Sequence, residues 1–425
     1  MKAGFYTIMA AQFFSSLADN ALLVAAIAML RQLEEPAWMT PALKQSFVVS
    51  YVVLAPLVGA FADSMPKGRV MLITNGIKVV GCMLMLFTVH PLLAYAVVGL
   101  GAAGYSPAKY GILTELLPAR QLVVANGWIE GTTVASIILG VLTGGLLISG
   151  KVSGFMLGFD VPRIDTGIDT PPEAAICVIA VFYVIAAVFN WFIPDTGVDH
   201  RVPSKNPFYL IREFSHCVVL LWRDKLGQIS LATTTLFWGA GATLQFIVID
   251  WAAKAMGFDL SQASYLQGVV AAGIAVGAVL AARFIALRKS VTVLPIGVAM
   301  GLIVISMIFV TNLPLAIILM IAIGACAGFF VVPMNALLQH RGHVLMGAGH
   351  SIAVQNFNEN IGILVMVGMY LFMVRGGMSV NRAIVMFGLF VAATMLLVLW
   401  RHLHNQSKMD SLKLIPDDGD GRGHH

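Results

Sequence analysis

Residues 315–339, LAIILMIAIGACAGFFVVPMNALLQ, decide the fold class of this chain. The run holds 25 residues and no charged side chain. A helix needs about 20 consecutive apolar residues to cross the hydrocarbon core of a bilayer. The run is therefore predicted to be a transmembrane helix.

Eleven further apolar runs of similar length fill most of the rest of the chain. The twelve predicted spans are 5–30, 45–62, 70–89, 91–113, 126–149, 173–193, 226–250, 263–287, 291–311, 315–339, 349–373 and 380–400. No gap between them is large enough for an independent soluble domain, and no phosphate-binding loop is present. These observations argue against an ATP-driven pump and against a channel with a large gating domain.

The composition of the 425 residues agrees with a polytopic membrane protein. Hydrophobic residues make up 59% and charged residues 11%, against roughly 45–50% and roughly 25% in soluble domains. The net charge is +5. Sixteen Lys and Arg lie outside the spans on the side of the N-terminus and seven lie on the opposite side. This excess predicts that both termini are cytoplasmic.

Two halves of the chain resemble each other. The fourth span ends with PAKYGIL at 107–113, and the tenth ends with PMNALL, which begins 226 positions later. Two six-helix repeats are typical of secondary transporters, so the predicted fold is all-α with twelve transmembrane helices in two pseudo-symmetric halves. The predicted parts are an N-terminal half at 1–193, a cytoplasmic linker with an interfacial helix at 194–225, a C-terminal half at 226–400 and a polar, disordered tail at 401–425.

The connection between the second and third spans carries the sequence GAFADSMPKGR at 59–69. It resembles the loop signature of the major facilitator superfamily, with five residues instead of four between Asp63 and Arg69. We expect Asp63 to pair with Arg69 or with a neighbouring helix terminus and to form a gate. The alternative is a turn with a solvated ion pair.

Three ionisable residues lie near the middle of predicted spans: Asp19, Lys78 and Glu359. A charge at the centre of a membrane helix costs about 2.5–3.5 kcal/mol on insertion scales and therefore needs a partner or a polar substrate. We expect these residues to contact substrate. The alternative is a hydrogen bond between helices that only fixes their packing.

Other polar residues on the same spans complete the predicted substrate site. Lys109 and Glu130 are candidates to pair with each other, and Asn126 shares a helix face with Glu130. Ordinary anchoring at the membrane interface is the alternative for Lys109. The remaining candidate substrate-binding residues are Asn20, Tyr105, Gln245, Gln355 and Asn356.

Five blocks of the sequence are distinctive: ADNAL at 18–22, ADSMPKGR at 62–69, YSPAKYGIL at 105–113, FFVVPMNALLQ at 329–339 and GAGHSIAVQNFNEN at 347–360. Together they resemble the bacterial lysophospholipid transporter family of the major facilitator superfamily. The resemblance covers nearly the whole chain. One departure is Gln245, because a basic residue is expected near this position.

The resemblance implies a flippase of the bacterial inner membrane, with no cofactor or metal and no nucleic acid partner, acting as a monomer. It would move lysophosphatidylethanolamine and lysophosphatidylglycerol from the outer to the inner leaflet, where a lysophospholipid acyltransferase restores the second chain. One alternative is a proton-coupled exporter of drugs or amphiphiles on the same fold. A membrane-embedded enzyme of lipid remodelling is disfavoured, because no catalytic constellation is recognisable.

Overall fold

The computed structural model describes residues 3–35, 39–158, 168–198, 206–258 and 260–415, and every regular element in these ranges is helical. This confirms the predicted all-α class. The fourteen α-helices are α1 (Ala3–Gln32), α2 (Met39–Asp63), α3 (Lys67–Leu86), α4 (Pro91–Leu116), α5 (Leu122–Leu147), α6 (Gly150–Leu157), α7 (Pro171–Trp191), α8 (Pro207–Arg223), α9 (Gly227–Met256), α10 (Leu260–Phe284), α11 (Leu294–Ile305), α12 (Leu313–Met346), α13 (Ala348–Arg375) and α14 (Val380–Lys408).

Eleven helical segments of the described residues are long and apolar enough to cross a membrane. They correspond to eleven of the twelve predicted spans. The remaining predicted span, the fourth along the chain, is α4, which is 26 residues long but is not among the eleven. Its stretch Gly99–Pro107 carries glycines together with Tyr105, Ser106 and Pro107, and these residue types make the helix less apolar.

The contacts among the described residues divide the chain into two units. Unit 1 consists of Met1–Leu116, Ala135–Phe214 and Ala348–Ala353, and unit 2 consists of Leu117–Val134, Ser215–Gly347 and Val354–His425. Each unit is discontinuous in sequence, because α5, α8 and α13 contribute residues to both. The predicted domain boundaries at 193 and 225 therefore stay predictions.

The same packing plan recurs in the two units. In unit 1, α1 packs against α7, α2 packs against α4, and α3 packs against both α4 and α7. In unit 2, α9 packs against α14, α10 packs against α12, and α11 packs against both α12 and α14. The first span thus meets the sixth, and the second meets the fourth, in each repeat. This recurrence confirms the two pseudo-symmetric halves.

Glycines allow close helix crossings in unit 2. A Cβ on Gly273 of α10 would lie 2.6 Å from the carbonyl oxygen of Ile321 in α12. A Cβ on Gly301 of α11 would lie 2.6 Å from the backbone nitrogen of Ala392 in α14. Small residues let helix backbones approach in a membrane, where association depends on close packing. These two crossings therefore require glycine.

Helix α8 lies in the predicted linker. Leu210, Phe214, Cys217 and Leu221 are buried and recur every three or four residues, so they share one helix face. Phe208 on the opposite side is 82% exposed. The helix predicted within the linker is present, with the apolar stripe of an amphipathic helix.

The predicted disorder of the C-terminal tail is wrong for its first part. Helix α14 continues to Lys408, and a short 3₁₀ turn follows at Ser411–Leu414. The turn is held by a hydrogen bond from Arg341 Nη1 to the carbonyl oxygen of Leu414. The polar composition of this segment suggested disorder, because the sequence does not reveal contacts with distant residues such as Arg341. Residues 416–425 lie outside the described ranges.

Candidate functional site

A buried ion pair joins α1 to α3 in unit 1. Lys78 Nζ lies 2.8 Å from Asp19 Oδ2. The Lys78 side chain is 1% exposed, whereas that of Asp19 is 22% exposed. The sequence identified both residues as charges in need of a partner, and the structure shows that each is the partner of the other. The carboxylate is therefore the accessible member of the pair, and the ammonium lies behind it.

Neutral polar groups fix the pair from the protein side. Tyr183 of α7 donates a hydrogen bond from its hydroxyl to Asp19 Oδ1 at 2.7 Å. Lys78 Nζ donates to Ser15 Oγ at 3.0 Å, and Ser15 Oγ donates to Asn75 Oδ1 at 2.8 Å. Each carboxylate oxygen thus has a donor from a different helix. The geometry holds Asp19 in one orientation.

Aromatic rings complete the surroundings of Lys78. Its Nζ lies 4.9 Å from the ring centroid of Tyr105 and 5.4 Å from that of Tyr183. A ring face attracts a cation at such distances, and more strongly where water is excluded. The structure therefore brings Tyr105 to the Asp19–Lys78 pair, as the predicted site requires, through its ring.

Two other predicted site residues of unit 1 face different partners. Asn20 donates a hydrogen bond from Nδ2 to the carbonyl oxygen of Ser16 in its own helix at 2.8 Å. Lys109 is half-buried, and its Nζ lies 4.2 Å from the ring centroid of Tyr110. Their roles in binding stay predictions.

A pair of buried amides lies in unit 2. Asn126 of α5 and Gln339 of α12 exchange two hydrogen bonds, each 2.9 Å long. Asn126 is fully buried, and Gln339 is 1% exposed. Reciprocal bonds of this kind satisfy both amides without any net charge. The sequence identified Asn126 but gave no signal for Gln339, which lies at the end of a long apolar run.

A second amide group lies one helical turn away on α12. Gln355 of α13 donates from Nε2 to Asn335 Oδ1 at 3.1 Å and to Glu359 Oε1 at 2.7 Å. Glu359 is 7% exposed, and the neighbouring predicted residue Asn356 is 8% exposed. The structure thus brings Gln355 and Glu359 together. We name Asn126, Gln339, Asn335, Gln355 and Glu359 the amide cluster.

The other predicted residues of unit 2 are placed differently. Gln245 has an exposed side chain, and its carbonyl oxygen accepts a hydrogen bond from Gln267 Nε2. Asp250, one and a half turns further along α9, accepts a hydrogen bond from the hydroxyl of Tyr370 in α13. Glu130 lies in α5, but its side chain is outside the described part of the chain. Its pairing with Lys109 therefore stays a prediction.

Asp63 binds a neighbouring helix terminus, which is one of its two predicted partners. Asp63 Oδ1 accepts from the backbone nitrogen of Gly349 at 2.7 Å, and Oδ2 accepts from that of His350 at 3.1 Å. His350 Nδ1 also lies 2.7 Å from Oδ2. A carboxylate at a helix N-terminus satisfies unpaired amide groups and the helix dipole. Asp63 thus attaches the first turn of α13 to α2.

Lys67, not Arg69, supplies the cation for Asp63. Lys67 Nζ lies 2.7 Å from Asp63 Oδ1 and 3.3 Å from Glu115 Oε1. The Lys67 side chain is buried, whereas Arg69 is exposed. Asp63 is the last residue of α2 and Lys67 is the first residue of α3, so the short connection between the two helices brings their side chains together. Asp63 therefore pairs with Lys67, which the sequence did not indicate as its partner.

An apolar cavity of about 100 Å³ lies among α9, α13 and α14 of unit 2. Apart from Thr243 and Tyr370, it is lined by hydrophobic side chains: Met366, Met369, Met373, Met386, Phe387 and Phe390. Flexible methionines adapt to irregular hydrocarbon shapes. The cavity fits a hydrocarbon segment and not a charged group, so it is no candidate for the polar part of a ligand.

Solved structures with the same architecture support the fold. The crystal structure of the human organic anion transporter MFSD10 matches with a TM-score of 0.70 and 14% identity, covering 95% of this chain and all of that one. The transporter FucP in the outward conformation matches with a TM-score of 0.71 and 14% identity, covering 94% and 98%. At these identities the likeness concerns the fold alone.

Sequence comparisons define the family. The model of the Major Facilitator Superfamily matches residues 8–367. A protein of Yersinia enterocolitica named Lysophospholipid transporter LplT is 43% identical over 381 residues, which is 89% of each chain. A protein of Yersinia pestis with the same name is 43% identical over 374 residues, covering 88% of this chain and 87% of that one. The chain is thus a multi-pass integral membrane protein that belongs to the Major Facilitator Superfamily and, within it, to the family of these lysophospholipid transporters.

Proposed function

We propose that the protein transports lysophospholipids across a bacterial inner membrane. The observation that carries the proposal is the Asp19–Lys78 pair, in which a partly accessible carboxylate lies within a transmembrane helix and is held in place by Lys78 and Tyr183. Ionisable groups at this depth are retained where they meet a polar substrate or a partner. The relatives named lysophospholipid transporters support the substrate class.

The two parts of a lysophospholipid need different surroundings. Its head group carries a phosphate together with an ammonium or hydroxyl groups, which a fixed carboxylate and polar side chains can bind. Its acyl chain needs only an apolar wall or the surrounding lipid. In this proposal the head group meets Asp19, whereas the acyl chain stays in an apolar environment throughout. Further polar contacts along the route are proposed for the remaining candidate residues: Lys109, Asn20, Gln245, Asn356, Glu130 and the amide cluster.

The direction and partners of transport follow the resemblance. Lysophosphatidylethanolamine and lysophosphatidylglycerol would move from the outer to the inner leaflet, and a separate lysophospholipid acyltransferase would restore the second chain. The protein itself would act as a monomer and catalyse no covalent step. The contacts of Asp63 with Lys67, Gly349 and His350 support a gate, with exposed Arg69 in an accessory role.

Reconstitution tests the proposal. Labelled lysophosphatidylethanolamine is added to proteoliposomes, and albumin extracts the part that remains in the outer leaflet. Lysophospholipid should become protected from extraction with the protein and not with protein-free liposomes. Equal protection in both would overturn the proposal. Transport of an unrelated amphiphilic drug, driven by a proton gradient, in place of the lipid would favour the exporter.

Cysteine labelling tests the proposed orientation. With both termini cytoplasmic, a membrane-impermeant thiol reagent added to intact cells should modify Gly158→Cys and should not modify Ser204→Cys. The unaltered chain, with its four free cysteines, gives the background. Labelling of Ser204→Cys from outside would show that the orientation is the opposite of the proposed one, without contradicting the substrate proposal.

A further inference from the structure

The Asp19–Lys78 pair is asymmetric in its access. Lys78 is 1% exposed, and its ammonium is bonded to Asp19 and Ser15. Asp19 is 22% exposed and is therefore the group that a ligand can reach. A phosphate cannot contact Lys78 directly while the lysine keeps these contacts. Lys78 must act on a ligand through Asp19 and through its own charge.

The charges around Asp19 are nearly balanced. The described partners of the pair are Ser15, Tyr105 and Tyr183, all neutral. The carboxylate and the ammonium together contribute no net charge. A lone carboxylate in a medium of low dielectric constant would repel a phosphate strongly, because Coulomb energies rise as the dielectric constant falls. The buried ammonium cancels most of that repulsion.

We propose that Lys78 sets the head-group specificity of the transporter by neutralising Asp19. This inference rests on the proposed function and extends it. With the pair intact, a zwitterionic head group and an anionic glycerol head group both bind, since Asp19 can accept hydrogen bonds from an ammonium or from hydroxyl groups. Without the lysine charge, Asp19 favours the ammonium and rejects the anionic head group. Specificity is here a difference of affinities produced by a repulsive group.

The test compares Lys78→Met with the unaltered protein on two substrates. Lysophosphatidylethanolamine and lysophosphatidylglycerol are presented separately to proteoliposomes. The ratio of lysophosphatidylglycerol to lysophosphatidylethanolamine transport should fall about tenfold, which corresponds to about 1.4 kcal/mol. Lys289→Met, an exposed lysine of a connection in unit 2, is the control and should leave the ratio unchanged.

Two further variants keep the proposal falsifiable if Lys78→Met does not fold. Asp19→Asn leaves the lysine charge uncompensated, so its residual transport should shift in the opposite direction, towards lysophosphatidylglycerol. The double variant Asp19→Asn with Lys78→Met removes both charges and should restore the original ratio. An unchanged ratio in either folded single variant would overturn the inference. Failure of the unaltered protein to move either lipid would instead contradict the proposed function.

Discussion

The two units place polar groups inside their helices in different ways. Unit 1 uses full charges, with Asp19 and Lys78 paired at 2.8 Å. In unit 2, the buried amides Asn126 and Gln339 exchange two hydrogen bonds of 2.9 Å. Both arrangements satisfy groups that the membrane interior would penalise. In the first arrangement the partly exposed member, Asp19, carries a charge that a ligand can reach.

This difference predicts different consequences of mutation. Removing one partner of a buried ion pair leaves an uncompensated charge, which costs about 3–5 kcal/mol. Removing one buried amide leaves an unsatisfied neutral group, which costs about 1–3 kcal/mol. We expect the pair in unit 1 to dominate substrate binding, whereas the amide cluster in unit 2 adds weaker polar contacts and fixes helix packing. Four experiments test this assignment.

Asp19→Asn should have the largest effect. The substitution keeps the shape of the side chain but removes its charge, and a bond to a charged group is worth about 1.5–3 kcal/mol. Lysophospholipid transport should therefore fall by about tenfold to a hundredfold. The matched control is Asp250→Asn, which also loses a carboxylate bonded to a tyrosine but belongs to no described ion pair, and it should keep most transport. Normal uptake by a well-inserted Asp19→Asn protein would leave Asp19 as a packing residue.

The Asn126–Gln339 bonds should matter for stability. Asn126→Leu leaves Gln339 buried without its partner and should lower the free energy of unfolding by about 1–3 kcal/mol. Adding Gln339→Met removes the stranded amide, so the double variant should recover much of the loss. Thermal unfolding in detergent measures both. A double variant that is no more stable than the single one would show that the amides contribute more than mutual satisfaction.

Asp63→Ala tests the charged contacts at the end of α2. It removes the acceptor of two backbone amides at the start of α13, a contact worth about 1 kcal/mol at a helix terminus. It also removes one of the two carboxylates beside Lys67, which keeps Glu115 as its partner. Transport should fall about fivefold, while the amount of inserted protein stays the same. Arg69→Ala, in the same loop but exposed, should have a smaller effect. If the two variants are equally impaired, the gate depends on Arg69 as well.

Glu359→Gln should have the smallest effect. The substituted amide retains an oxygen that can accept the hydrogen bond from Gln355 Nε2, so the amide cluster stays connected. Lysophospholipid transport should change by less than about twofold. A loss as large as that of Asp19→Asn would show that unit 2 also uses a charge, and the contrast between the units would fail.

The sequence predicted the helices well because length and hydropathy are local properties. It also identified Asp19 and Lys78 one by one, since each interrupts an apolar run. Their pairing was not predictable, because the two residues are 59 positions apart and nothing local indicates which helices touch. Tyr183 gave no signal, because a tyrosine in an apolar span is ordinary.

Partners that depend on helix ends were equally hidden. Asp63 was predicted to bind either Arg69 or a helix terminus, and only the structure distinguishes them. His350 carries no signal in the sequence, because its contact with Asp63 depends on where α13 begins. Gln339 and Asn335 were likewise missed, since both lie near the end of the uncharged run 315–339 as ordinary polar residues would. The sequence thus predicted the helices but not which side chains on different helices contact each other.

The packing of α11 has a consequence for how the protein is made. Gly301 of α11 packs against Gly388 and Ala392 of α14, the last α-helix. Helix α10, in contrast, packs against α12, which is synthesised earlier. A ribosome delivers the chain from its N-terminus, so α11 reaches the membrane long before α14 exists. The face of α11 that carries Gly301 therefore lacks its α14 partner until the last helix is synthesised. The final helix therefore closes the second repeat, and a nascent chain released before residue 380 would leave it incomplete.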